Sequence, residues 1–150
     1  MLSKKDENIL ISSCLMGLYC RYNGELVQVK NIKALMNKYH LIPICPEIMG
    51  GMGTPRNPSE RKGSKVFDSS GKDVTEYFEM GASETLKLAK LYNCKYAILK
   101  ERSPSCGYGK IYDGNFTGKL IIGNGVTADL LSANGIKVLG ETQIDDLLSL

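Results

Sequence analysis

Three of the five cysteines, Cys14, Cys45 and Cys106, follow short apolar runs at the point where the chain breaks into Gly, Pro and Ser. Residues 8–13 read Asn-Ile-Leu-Ile-Ser-Ser before Cys14, residues 41–44 precede Cys45, and residues 96–99 run out through Ser-Pro-Ser to Cys106. A cysteine serving only as packing sits more naturally inside such a run. Three thiolates brought together suit an iron–sulfur cluster, and with only three protein ligands one iron would stay open as a Lewis acid. The pattern has no Cys-x-x-Cys pair of the zinc-ribbon kind, yet Cys20 could complete a four-thiolate zinc site, so spacing alone leaves the metal open. Cys94 precedes the third run, at its opposite end, and reads as a packed thiol.

The stretch after Cys45 is Pro-Glu-Ile-Met-Gly-Gly-Met-Gly-Thr-Pro-Arg. Its glycines, Gly50 and Gly51 first, suit a backbone that turns with positive φ or lets a ligand come close. Glu47 is a candidate acid or base, or else a carboxylate placed at a helix start. Ser103 and Ser105 either handle a substrate or cap the turn they share. Arg56, Lys100 and Arg102 offset an anionic centre, meet a substrate oxygen, or stand as solvated charges. Tyr19, Tyr22 and Tyr108 are the loop aromatics able to stack on a flat ring. The one histidine, His40, excludes centres built from several imidazoles.

These residues need elements to hold them. Residues 8–13, 41–44, 96–99 and 136–139 read as four buried strands. Between them, residues 31–39 place Ile32, Leu35, Met36 and Tyr39 on one helical face, with Asn31 as cap, and residues 75–93 form a long periodic helix opened by Thr75. A further helix, 127–133, stops at Asn134-Gly135, and Thr142 caps a last one. Residues 65–74 suggest a hairpin around Ser-Ser-Gly, and 110–119 either one around Asp-Gly or a lid over the site. The expectation is a single α/β domain over 1–150: a mostly parallel, Rossmann-like sheet of about four core strands, helices on both faces, and β-hairpin insertions. Ligands of such sheets gather beyond the carboxyl ends of the strands, where the three thiols are expected.

At 150 residues, 43% hydrophobic and 23% charged, the chain has the size and composition of one globular domain. A net charge of +3 with interspersed signs offers no basic stripe for polymeric nucleic acid. No apolar run approaches a membrane span, and the first residues lack a signal-peptide core, so a cytoplasmic protein, monomeric or a small homo-oligomer, is expected. Five cysteines in a reducing compartment argue against structural disulfides.

Ser12-Ser13-Cys14-Leu15-Met16-Gly17 with Cys20-Arg21-Tyr22-Asn23-Gly24, the Cys45 to Arg56 block, and Leu99-Lys100-Glu101-Arg102-Ser103-Pro104-Ser105-Cys106-Gly107 are similar to signature blocks of the thiouracil desulfurase family. The likeness runs nearly end to end. It implies a 4Fe-4S cluster on Cys14, Cys45 and Cys106, with a free iron for the sulfur of a thiolated nucleobase, and Glu47 and Ser103 working beside it. Gly50, Gly51, Arg56 and Ser105 would then meet the substrate. Water would replace the sulfur, which leaves as sulfide without net redox change. Cys20 departs from a three-ligand pattern and must point elsewhere to leave that iron free. The non-enzymatic alternative is a zinc- or cluster-bearing module that binds a small ligand or anion.

Overall fold

The computed structural model describes residues 6–27 and 29–150, and the expectation about the first five residues lies outside them. Strand β1 (Asn8–Ser12) is followed by a 3-10 turn, Ser13–Met16, closed by Gly17 at φ +84. Helix α1 (Ile32–Lys38) leads into β2 (His40–Ile44), and Cys45 then begins a one-turn helix, α2 (Pro46–Met49). A β-hairpin, β3 (Ser59–Lys62) and β4 (Lys65–Asp68), precedes the long α3 (Thr75–Leu91) and β5 (Tyr96–Leu99). A second hairpin, β6 (Lys110–Tyr112) and β7 (Leu120–Ile122), comes before α4 (Val126–Ala133), β8 (Lys137–Gly140) and α5 (Ile144–Leu148).

The central sheet is wholly parallel in the order β2-β1-β5-β8. The chain leaves β1 to one side for β2 and later returns to its other side for β5, so the order reverses between β1 and β5. Alternation along β1 divides the core. Ile9 and Ile11 pack with Leu35 of α1 and with Ile144 and Leu147 of α5, whereas Leu10 packs with Ala89 of α3 and with Ala128 and Leu131 of α4. Helices therefore cover both faces, and each fully buried Ile or Leu contributes about 1.5–3 kcal/mol relative to exposure.

Local details differ from expectation. Asn31 precedes α1 at φ +68, and its amide donates to Asp145 instead of capping. Thr75 is the first helical residue, its hydroxyl donating to Asp73 Oδ1 at 2.6 Å. Thr142 donates to Glu101. The first hairpin turns at Gly63-Ser64, with Gly63 at φ +62, while the Ser69-Ser70-Gly71 turn is closed by a single bridge, Phe67 to Asp73. Ser59–Lys62 reads Ser-Glu-Arg-Lys, too polar for a strand signal, and pairs because Lys65–Asp68 lies beside it. Among the described residues no helix is long and apolar enough to cross a membrane.

Candidate active site

Cys14 lies in the turn just past β1, Cys45 caps α2 after β2, and Cys106 follows the loop beyond β5. All three line one cavity of about 470 Å³ at the carboxyl ends of the strands, next to the point where strand order reverses. Cys20 lines it too. Cys45 Sγ donates to the Cys20 carbonyl oxygen at 3.9 Å, which sets Cys20 beside the proposed ligands instead of away from the site. Cys94 belongs to the apolar cluster under α3 and α4, as a packed thiol should.

The thiols are held in different surroundings. Cys106 Sγ accepts from Ser12 Oγ at 3.5 Å and lies 3.5 Å from Ser105 Oγ, and burial pushes its thiol up to about 12. The hydrogen bond with Cys14 lifts Cys20 to about 11. Cys45 is raised well above the usual range by its bond with Cys20 and then by burial. Among the described residues no three His, Cys, Asp or Glu side chains are arranged to hold a single metal ion. Cys14, Cys45 and Cys106, three soft donors from three strand ends around one cavity, fit an iron–sulfur cluster, in which each thiolate meets a different iron.

Beside the thiols runs a chain of oxygens. Glu47 stands in the first turn of α2, where the helix start favours a carboxylate. Its Oε1 accepts from Arg56 Nε at 3.2 Å and its Oε2 from Ser105 Oγ at 3.1 Å. Ser105 Oγ lies 3.0 Å from Ser103 Oγ, which also accepts from the amides of Ser105 and Cys106, each at 3.1 Å. The two serines are neighbours in a built turn, not rivals for one position.

The remaining expected residues divide. Arg56 lines the cavity with its guanidinium committed: Nη1 donates to Gly53 O and Thr54 Oγ1, and Nη2 to Cys20 O. Lys100 pairs with Glu141 at 2.8 Å, and Arg102 is exposed at the rim with φ +69. Tyr22 lines the cavity, whereas Tyr19 and Tyr108 are not among its lining residues. Neither are Gly50 and Gly51. Gly50 is a glycine because α3 crosses directly over α2: a Cβ there would meet Tyr77 O at 2.0 Å, and one on Gly81 would meet Pro46 O at 1.9 Å. The close approach is helix on helix.

Both hairpins reach the cavity, through Ser59 and Glu60 of β3, Tyr112 of β6, and Phe116 and Gly118 of the β6–β7 loop. Ser59 Oγ is buried and has no hydrogen-bond partner. These residues carry no sequence signal of their own, because they enter the site through folding of two polar insertions.

Residues 9–143 match the family model described as 2-thiouracil desulfurase. The chain is 45% identical to Uncharacterized protein YbbK of Bacillus subtilis (strain 168), over 93% of this chain and 99% of that protein. It is also similar to the solved structure of the [4Fe-4S]-dependent thiouracil desulfidase TudS, with a TM-score of 0.88 and 41% identity, covering 94% of this chain and 95% of that one.

Proposed function

Because the chain belongs to the 2-thiouracil desulfurase family, we propose that it replaces the thiocarbonyl sulfur of a thiouracil-type small molecule with oxygen, using a 4Fe-4S cluster held by Cys14, Cys45 and Cys106. The cofactor assignment follows the similar [4Fe-4S]-dependent desulfidase, and the donor set described above fits it. One observation carries the reading: thiols from three strand ends meet the Glu47–Ser105–Ser103 chain around a single cavity. When bound, the cluster supplies a soft Lewis-acid iron that polarises the carbon–sulfur bond.

The chain's own residues manage water and protons. Arg56 fixes Glu47 Oε1 and leaves Oε2 facing the serines. Glu47 takes a proton from water as the water oxygen bonds to the thiocarbonyl carbon. Ser103 Oγ already accepts two amide hydrogens, so its hydroxyl hydrogen is the part it can give. Ser103 donates to Ser105 and Ser105 to Glu47, an ordered wire that fixes Oε2; once protonated, Glu47 gives its proton to the departing sulfur, and the hydroxyl proton of the adduct follows as the carbonyl forms. One C=S group and one water become C=O and hydrogen sulfide, with no electron gained or lost. A thiolated small molecule and a reducing, cytoplasmic setting go with this reading.

The test is anaerobic reconstitution with iron and sulfide, then sulfide release from 2-thiouracil. Iron-dependent visible absorption with catalytic sulfide release is expected. Stoichiometric zinc, or a retained chromophore without turnover, overturns the reading.

A further inference from the structure

The loop between β6 and β7 sits on the first hairpin. Glu60 Oε1 accepts from the amides of Gly114 and Phe116, at 3.0 and 3.1 Å, and Lys62 Nζ donates to Asn115 Oδ1 at 3.1 Å. Gly114 is pressed so closely against β3 that a Cβ would lie 2.8 Å from Lys62 Cβ. The tip is thus fixed over the cavity by a carboxylate that itself lines that cavity.

Within this tip Phe116 is out of place by local chemistry. Its φ is +57, between Gly114 at +95 and Gly118 at +80. A glycine takes that backbone freely, while an aromatic residue there is strained. Nor does packing explain the ring: Phe116 is 38% exposed and belongs to no apolar cluster among the described residues. Phe116 does line the cavity, together with Tyr22 and Tyr112.

We infer that Phe116 is a specificity-determining residue, its ring covering the face of a flat heterocyclic substrate, and that Glu60 is a positioning residue that holds it there. The inference rests on the desulfurase reading and adds to it a wall that selects an aromatic thio-heterocycle over an open-chain thiocarbonyl compound. A ring face is apolar and polarisable, so it rewards a planar partner and is indifferent to which edge substituents that partner carries.

The experiment compares cluster-loaded wild type with Phe116→Ala, Phe116→Gly, Phe116→Tyr and Glu60→Ala, measuring KM and kcat for 2-thiouracil, the visible spectrum and Tm. Loss of the ring should raise KM about five- to tenfold in both the Ala and Gly variants, the worth of one aromatic stacking contact, with a smaller change in kcat and an unchanged spectrum. Phe116→Gly relieves the strained backbone, so its Tm should equal or exceed that of wild type even as KM rises. Phe116→Tyr should restore KM, and Glu60→Ala should raise it. An unchanged KM in the Ala and Gly variants of an active enzyme overturns the inference, as does a KM rise in Phe116→Gly that comes with a fall in Tm. Cluster-loaded wild type that releases no sulfide overturns the desulfurase reading, and this inference with it.

Discussion

Arg56 Nε lies 3.2 Å from Glu47 Oε1, and both side chains are largely buried, at 8% and 15% exposure. A buried pair of this kind is costly to break from one side, because the surviving charge has no water to replace its partner. Replacing Arg56 with Met should destabilise the fold by about 3 kcal/mol, read from the urea midpoint. The same variant should lose sulfide release, since Glu47 Oε1 is no longer held. Arg56→Lys should recover part of the stability and less of the activity, a lysine being unable to reach Glu47, Thr54, Gly53 and Cys20 from one planar group.

Glu47→Ala should keep the cluster's visible spectrum and lose turnover by about a hundredfold or more, the usual worth of a positioned acid–base group. Ser103→Ala and Ser105→Ala each cut the same wire, so either should lower kcat, and the double variant should fall little further than one of them. Additive losses in a kinetic cycle would show that the two hydroxyls act independently.

The proposed ligands can be separated from the other cysteines by iron content. Serine at Cys14, Cys45 and Cys106 together should abolish iron retention after anaerobic desalting, whereas Cys94→Ala should leave it unchanged. Cys20→Ser should retain iron, with an altered electronic spectrum because this residue sits against Cys45 and lines the same cavity. Iron loss equal to that of the triple variant would make Cys20 a fourth required ligand.

Gly81→Ala should be among the most damaging small substitutions in the chain, because the added carbon would lie 1.9 Å from Pro46 O. Overpacking at a rigid backbone costs about 1–3 kcal/mol or more. Since α2 also carries Glu47, a surviving fraction should show a larger fall in kcat than in cluster content.

Asp68 supplies a pH signature. Ser70 Oγ, at 2.6 Å, and then the amides of Lys72 and Ser70 hold its carboxyl below the ordinary range. A carboxyl lowered in the folded state stabilises above its unfolded pKa of about 3.9 and ceases to do so as pH falls through the lower folded value. Asp68→Asn should therefore be less stable than wild type at neutral pH, and the gap in urea midpoint should close as pH drops below about 4. A gap that is constant with pH would assign the loss to shape instead of charge.

The four core strands, and the thiols beyond three of them, are legible in the sequence because each short apolar run is answered by a sharp change of composition, at Cys14, Cys45, Ser103 or Gly140. What stays hidden depends on partners far away in the chain. Gly50 looks like a ligand loop, and only the crossing of α3 over α2 reveals what its missing side chain admits. Four residues are too few to give α2 a period, so Glu47 reads equally as loop or helix. Ser105 gains its role from Glu47, many residues earlier, and Phe116 from Glu60 on the other hairpin. Ser59–Lys62 carries no apolar alternation and becomes a strand only through its neighbour.

The parallel order β2-β1-β5-β8 also governs how such a protein matures. Parallel neighbours are joined by long crossovers, so their pairing waits on contacts distant in sequence. During synthesis Cys106 leaves the ribosome after Cys14 and Cys45, and its strand is flanked on one side by β8, which is made later still. A group gripped by all three thiols can thus be received only by a nearly finished domain. Small zinc modules use their metal to fold; the proposed cluster would instead enter a chain whose strands have already paired, a step separate from translation.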